Sequence, residues 1–204
     1  MTAAEPAKPG RRLAAPERRA SLLQCACRVF SEGSYRGTTT AEIARAAGVT
    51  EPILYRHFAS KRDLYLACLR EAWERLRRRW DDAIAAEPDP ALWWTALVRA
   101  WRESDDYAVM AHLWAQALVE ASEDPVIARY MREHMLEVHT YAAEVLRRAQ
   151  EAGGVLPHCD PRAEAWIGLA IGLLRAVDLR LGGIVEQDAP EIAASRLRTL
   201  TGRE

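Results

Sequence analysis

The chain has 204 residues, half of them hydrophobic, and it lacks the run of about 18 apolar residues that a membrane-spanning helix needs. Its start lacks the apolar middle of a secretion signal, so the sequence predicts a globular, cytoplasmic protein. Charge is unevenly distributed: residues 1–62 hold 11 basic and 5 acidic side chains, whereas the other 142 residues hold 17 and 24. A basic end on an acidic body predicts that the first part of the chain meets a polyanion.

Glycines and prolines divide the chain, and between them apolar residues recur every three or four positions, which predicts an all-α protein of about nine helices. Residues 1–15, rich in Ala, Pro and charge, are expected to form a disordered basic arm. Helices are expected at 16–32, 40–47, 51–58 and 61–86, and then at 90–103, 107–121, 125–152, 161–181 and 189–201. Asp-Pro pairs at Asp89, Asp124 and Asp160 predict three of these starts, because the carboxylate caps the helix and proline needs no helical N–H partner.

The two short helices are predicted to form a helix-turn-helix unit. Thr39 and Glu42 fit a capping box for the first of them, and Gly48 ends that helix just before the second begins. The amphipathic helix at 16–32 braces the pair, which gives three helices of the kind that place a reading helix in the major groove of DNA.

The second short helix offers a candidate surface for reading bases. At about 100° per residue, placing Leu54 and Phe58 in the core puts Pro52 and Arg56 on the opposite side. An arginine there can bond two acceptors on a guanine edge, and Pro52 can touch a thymine methyl group. An ordinary solvated surface is the alternative interpretation.

Lys61 stands in the first turn of the long helix, where the helix dipole disfavours a cation. A DNA phosphate docked at this helix start would remove the conflict, because the backbone N–H groups and Lys61 would both face an anion. Tyr55 and His57 are the other candidates for contacts to phosphate. A solvated lysine remains the alternative.

With these residues in view, positions 16–69 resemble the DNA-binding domain of the TetR family of transcriptional regulators. The matching positions are Phe30, Tyr35, Thr38 to Thr40, Ile43-Ala44, Ala47-Gly48-Val49, Leu54-Tyr55-Arg56-His57-Phe58, Lys61 and Leu64. One departure is Ser34, which stands where the family usually has a glycine before the tyrosine.

The resemblance implies a division of the chain and a set of DNA contacts. Residues 16–62 would be the helix-turn-helix DNA-binding domain, and residues 63–204 a larger helical domain for ligand binding and dimerisation. The contacts implied by the family are to phosphates from Tyr55, His57 and Lys61, to bases from Thr50, Pro52, Ile53 and Arg56, and to the DNA backbone from Thr39 or Thr40.

Beyond residue 70 the sequence offers candidates for an effector site. Four of the seven tryptophans fall in the apolar helices expected at 90–103 and 107–121, and buried indoles can line a pocket. Polar groups recur every four residues on the second of these helices. The predicted ligand-binding residues are Trp93, Trp101, His112, Trp114, Gln116, Glu120 and Trp166. Tryptophans that only fill the core, with a satisfied core histidine at 112, are the alternative.

Small residues recur every four positions at Gly168, Gly172 and Ala176, which allows another helix to approach closely. We interpret this stripe as a candidate dimer interface, and packing within the subunit is the alternative. The resemblance likewise implies a dimer built on the last two helices.

The sequence therefore predicts a ligand-responsive transcriptional repressor that binds a palindromic operator in double-stranded DNA as a homodimer and is released by a small-molecule effector. A helix-turn-helix protein that acts mainly through protein contacts, without an effector, is the alternative. An enzyme is disfavoured, since the sequence has no phosphate loop or nucleophile elbow. Four cysteines and five histidines show no metal-ligand spacing, so neither a metal nor a cofactor is expected.

Overall fold

The computed structural model describes residues 15–102 and 105–202. These residues form nine α-helices and no strand, which confirms the predicted all-α class. The helices are α1 (Ala15–Glu32), α2 (Thr40–Ala46), α3 (Glu51–Tyr55), α4 (Lys61–Ala86), α5 (Trp93–Arg102), α6 (Asp105–Glu120), α7 (Pro125–Glu151), α8 (Pro161–Arg180) and α9 (Ala189–Thr201). Within these ranges no helix is both long and apolar enough to cross a membrane. The predicted basic arm lies outside the described residues, apart from Ala15, which begins α1.

Aspartate caps start several helices where the sequence predicts them. The Asp124 carboxylate accepts hydrogen bonds from the backbone N–H groups of Val126 and Ile127, and the Asp160 carboxylate accepts one from Ala163. Asp89 caps in the same way, but residues Pro90–Leu92 form a 3-10 turn before α5 begins. The helix predicted over 90–103 is therefore divided, because Leu92 bonds back only three residues to the Asp89 carbonyl.

The reading helix α3 is shorter than predicted and ends at Tyr55 rather than near Phe58. The backbone N–H of His57 bonds to the Leu54 carbonyl, three residues back, so the chain tightens into a turn after Tyr55. Phe58 is still buried by this turn, with 2% of its surface exposed.

One hydrophobic core runs through the molecule from α1 to α9. The long helix α4 lies at its centre and packs against α1 on the side of the short helices, and against α5, α6 and α7 elsewhere. Tyr65 of α4 links α1 to α6 within this core. Its ring lies edge-on to Phe30 of α1 at 5.1 Å between centroids, and its hydroxyl donates to the Leu113 carbonyl of α6 at 2.7 Å.

An aromatic cluster around His134 fills the centre of the larger part of the core. The rings of Trp73, Trp114 and Tyr130 surround this histidine at centroid distances of 5.2 to 5.9 Å. Trp114 Nε1 donates to His134 Nε2 at 3.0 Å, so that nitrogen must be unprotonated to accept. Burial lowers the pKa of His134 to about 4, because the low-dielectric core disfavours the imidazolium.

His134 makes the stability of the fold depend on pH. The unfolded chain binds a proton at His134 near pH 6.5, whereas the folded chain does not bind it until about pH 4. The neutral, buried imidazole therefore contributes its full stability above pH 6.5, and that stability is lost as the pH falls toward 4. We expect the free energy of unfolding to drop by roughly 2 to 3 kcal/mol from this group between pH 7 and pH 4.5. Urea titrations at both pH values measure it. His134→Gln keeps an acceptor that does not titrate, so its unfolding free energy should fall less; equal falls in the two proteins would contradict the assignment.

Candidate nucleic-acid interface and apolar cavity

We call α1, α2 and α3, together with the turns that follow them and the first two residues of α4 (Lys61 and Arg62), the reading unit. In it, Leu54 of α3 and Phe58 are buried, whereas Thr50, Pro52 and Arg56 face solvent, as the helical spacing predicts. Tyr55 is 46% exposed, and Ile53 and His57 are half-buried beside it. These residues form one surface that carries apolar groups together with hydrogen-bonding ones, which is the mixture needed to contact base edges in a groove.

The two threonines at the start of α2 have different surroundings. Thr39 is exposed, and its hydroxyl accepts from the Glu42 backbone N–H while the Glu42 carboxylate accepts from the Thr39 N–H, which confirms the predicted capping box. Thr40 is buried, and its hydroxyl bonds to the Glu51 carboxylate and lies 3.1 Å from the Tyr55 hydroxyl. Thr40 therefore fixes α2 against α3, and it orients the Tyr55 side chain.

Lys61 has partners within the chain that the sequence did not reveal. Its Nζ donates to the Arg36 carbonyl at 3.3 Å and lies 4.8 Å from the centre of the Tyr35 ring. These contacts offset part of the cost of a cation at the start of α4, so a DNA phosphate is not needed to explain a lysine at this position. Partial burial lowers the pKa of Lys61, although nearby carboxylates oppose that shift.

Charged and polar contacts join the reading unit to α6 and to the start of α7. Arg36 bonds to the Glu120 carboxylate at 3.0 Å and also to Glu123, and Arg62 bonds to Asp124 at 3.0 Å. The side-chain amide of Gln116 donates to the carbonyls of Phe30 and Gly33 at 2.9 and 3.1 Å. We call this set of contacts the joint.

Polar residues predicted to orient a ligand lie at the joint. His112, Gln116 and Glu120 line a polar cleft between α6 and the end of α1, together with Tyr35 and Arg36. They do share one face of α6, as their spacing predicts, but that face meets the reading unit. Sequence periodicity defines a face and does not say which neighbour the face contacts.

An apolar cavity of about 140 Å³ lies inside the larger part of the chain, between α4 and α9. Three tryptophans line it, Trp80 of α4, Trp94 of α5 and Trp114 of α6, together with aliphatic side chains of α7, α8 and α9. Of the predicted ligand-binding residues, Trp114 lies in this lining. Trp80, Trp94 and Arg196 also line it and were not among the predicted candidates.

Trp93 and Trp166, which were also predicted to bind ligand, do not line this cavity. Trp93 donates from Nε1 to the Glu87 carbonyl at 2.9 Å and packs under Arg148, so its ring caps the end of α4. Trp166 is 44% exposed and stacks on His139 at 4.2 Å between centroids. The side chain of Trp101 lies outside the described residues.

The small-residue stripe of α8 has contacts inside the subunit. Gly168 and Gly172 line the cavity, and Ala176 packs against Ala111 of α6. A Cβ atom at Gly168 would lie 2.2 Å from Cη2 of Trp94, so this glycine lets an indole approach the helix backbone. The exposed apolar side chains of α8 are on other positions, Trp166, Ile167, Leu174, Val177 and, just past its end, Leu181.

Comparison with known proteins places this architecture among regulators. Residues 22–68 match the sequence model for bacterial regulatory proteins of the tetR family. The transcriptional activator FasR of Mycolicibacterium smegmatis is 34% identical over 145 residues, which are 64% of this chain and 66% of that protein. The regulator BetI of Rhizobium meliloti is 33% identical over 59% of this chain and 64% of its own length. The chain thus spans just under two thirds of the length of these two relatives.

Solved structures agree with the fold over nearly the whole chain. A transcriptional regulator from Saccharomonospora viridis, solved in complex with choline, superposes with a TM-score of 0.79 over 92% of this chain and 100% of its own, at 19% identity. The ketosteroid regulator KstR2 of Mycobacterium tuberculosis superposes with a TM-score of 0.65 at 24% identity, covering 95% of this chain and 98% of its own. These relatives are regulators and not enzymes, which confirms the expectation of a non-enzymatic protein. From its motif, its helical architecture and these likenesses, the chain belongs to the TetR family of bacterial regulatory proteins.

Proposed function

We propose that this protein is a homodimeric, cytoplasmic transcriptional repressor that binds a palindromic operator through its reading unit and is released by a small-molecule effector bound in the apolar cavity. The observation that carries the proposal is the pairing of an exposed α3 surface of apolar and hydrogen-bonding groups in a basic unit with an apolar cavity in the acidic remainder. In this division residues 16–62 read DNA, and residues 63–204 bind the effector and dimerise. No enzymatic step is involved.

The DNA contacts we propose follow from exposure and chemistry. Arg56, Pro52, Ile53 and Thr50 would meet base edges in the major groove, because they occupy the solvent face of α3. Tyr55, His57 and Lys61 would meet phosphates beside it, and Thr39 would contact the adjoining backbone. Thr40 would act through Tyr55, because its own hydroxyl is occupied within the reading unit.

Coupling between the cavity and DNA would pass through α4 and α6, since both helices touch both regions. The cavity meets Trp80 of α4 and Trp114 of α6, while Gln116, in the next half-turn of α6, bonds to the reading unit. A ligand that favours one position of α6 would shift the joint. In a dimer that shift would change the separation of the two α3 helices and so their match to the half-sites.

Selection from a randomised DNA duplex library at near-physiological salt tests the proposal, followed by titration of salt on the best sequence. An enriched palindrome with a steep salt dependence is the expected result. Weak binding without enrichment would overturn the proposal and favour a protein that acts through protein contacts alone.

Two substitutions in the reading unit should have different effects on DNA binding. Arg56→Ala should relax the preference at one base pair of each half-site and cost about 1 to 3 kcal/mol on the selected operator. Lys61→Ala should weaken all duplexes about equally and reduce the salt slope by about 1 per half-site. Fluorescence anisotropy on the operator and on a scrambled duplex measures both.

Arg132→Ala, at an exposed arginine of α7, is the matched control and should leave both affinities unchanged. Thermal unfolding of Lys61→Ala checks that loss of its contact to the Arg36 carbonyl has not unfolded the reading unit. If Arg56→Ala weakened the operator and the scrambled duplex by the same factor, the assignment of Arg56 to a base edge would be wrong.

A further inference from the structure

The apolar cavity contains a buried N–H group without a partner. Trp80, on the cavity wall, is only 9% exposed, and among the described residues no acceptor bonds to its Nε1. Two other buried indoles have acceptors, since Trp73 donates to Glu137 at 2.8 Å and Trp114 donates to His134. A buried donor without an acceptor destabilises the folded chain, so an orphan donor in a cavity lining favours a ligand that supplies an acceptor.

Arg196 of α9 provides a second orphan donor in the lining of the same cavity. Its Nη2 bonds to the Glu164 carboxylate of α8, and both side chains are largely buried, at 17% and 13% exposed. Its Nε is also buried, and no partner for it exists within the described ranges. Glu164 therefore anchors one edge of the guanidinium, while the N–H at Nε is left for another acceptor.

The residues that line the cavity also indicate the charge of the ligand that it would bind. Among the described lining residues Arg196 is the one charged side chain, and none is acidic. Indole rings can hold a cation, but a quaternary ammonium in this cavity would face a guanidinium without any carboxylate on the wall. An anionic or neutral acceptor is favoured by the same arrangement.

The volume limits the apolar part of the ligand. At about 140 Å³ the cavity is close in size to an engineered protein cavity of roughly 150 Å³ that binds benzene. Without movement of the walls, it fits an apolar group of about six to eight carbon atoms.

We propose that the cavity binds a small apolar carboxylate, whose oxygens accept hydrogen bonds from Trp80 Nε1 and Arg196 Nε while its hydrocarbon part packs among Trp94, Trp114 and the aliphatic wall. The proposal rests on the proposed function, since it names the chemical class of the effector that the regulator senses. The acceptor satisfies two donors that the folded chain leaves unpaired, and the tail fills the apolar space between α4 and α9.

Three unbranched probes with eight carbon atoms each test the head-group preference: octanoate, octan-1-ol and octylammonium. Isothermal titration gives each affinity, and quenching of tryptophan fluorescence reports entry to the cavity. Octanoate should bind at least about tenfold more tightly than octan-1-ol, because charge-assisted hydrogen bonds are stronger than neutral ones. Octylammonium should bind most weakly. Equal binding of octanoate and octan-1-ol, or a preference for octylammonium, would overturn the proposal.

Variants assign the two donors. Trp80→Phe keeps a ring but removes the N–H, so octanoate affinity should fall about fivefold to tenfold and the preference for octanoate over octan-1-ol should shrink. Trp73→Phe is the matched control, since the Trp73 N–H bonds to Glu137 and its ring is not in the cavity lining. Arg196→Lys keeps a cation beside Glu164 but has no Nε–H, and it should also reduce the preference for octanoate over octan-1-ol. If neither variant changed that preference, the proposed contacts would be wrong.

Selection of an operator from the duplex library separates this proposal from the function on which it rests. If the protein enriches a palindrome but does not bind octanoate, the proposed function stands and the proposed class of ligand is wrong. If the protein prefers octanoate through Trp80 but enriches no DNA sequence, the proposed ligand site stands and the proposed regulatory function is wrong.

Discussion

Val177→Glu combined with Leu181→Glu is expected to convert the proposed dimer into monomers and to weaken binding to the proposed palindromic operator by about 100-fold or more. The two side chains are 48% and 58% exposed, and they continue an apolar surface on α8 that includes Ile167 and Leu174. In a two-fold symmetric dimer each substitution occurs on both sides of the contact, so several buried carboxylates would face apolar neighbours. A monomer would then hold one half-site at a time and lose the benefit of linked binding.

Sedimentation velocity and anisotropy on the full operator and on a half-site measure the two effects. Leu118→Glu is the control, because Leu118 is a similarly exposed apolar residue, 44%, on α6. The double variant should bind the half-site as well as the unchanged protein does. A double variant that remained dimeric would place the interface elsewhere and would remove the reason for assigning α8 to it.

Gly154→Ala should lower the free energy of unfolding by about 3 kcal/mol or more. A Cβ atom at this position, in the turn after α7, would lie 2.4 Å from both the Ala91 nitrogen and the Pro90 carbonyl carbon. These are backbone atoms, so the clash is relieved only if the 3-10 turn before α5 moves away from the end of α7. For a chain of about this length the melting temperature should fall by roughly 6 to 12 °C.

Gly153→Ala provides a neighbouring control with a different cause. Gly153 has φ of +79°, and nothing lies within 4 Å of an added Cβ, so the cost there is the left-handed backbone alone, about 1 to 2 kcal/mol. Thermal melts of both variants should therefore differ by several degrees. Equal losses would mean that the turn before α5 yields easily and that close packing at Gly154 is not what stabilises this end of the molecule.

Local signals predicted the reading unit well, and the reasons are visible in the structure. The capping box of Thr39 and Glu42 is made between residues three positions apart, and the inward side chains Leu54 and Phe58 are set by the repeat of the helix. Both kinds of information lie within a few residues of sequence. The Asp-Pro helix starts were predictable for the same reason.

Contacts between distant residues explain what the sequence did not predict. Arg36 and Glu120 are 84 positions apart, and no periodicity in α6 indicates that its polar face meets the reading unit. The same holds for Lys61, whose partner is a backbone carbonyl at Arg36. A cavity gives still less signal, since it is the space that packing leaves. Trp80 lies on a mostly charged stretch of α4, and it lines the cavity together with residues of α9 that are more than 100 positions away in the sequence.

The continuous core has a consequence for building hybrids from relatives of this protein. Phe30 and Tyr35 pack against the ring of Tyr65 of α4, whose hydroxyl donates to α6, so the interface between the reading unit and the remaining helices is made of matched aromatic surfaces. A hybrid that joins the first sixty or so residues to the remaining helices of a relative keeps one side of this interface and replaces the other. To keep the packing intact, a hybrid must also include the first turns of α4 and the turn of α6 that faces them. The segment that can be exchanged between relatives is therefore larger than the segment that contacts DNA.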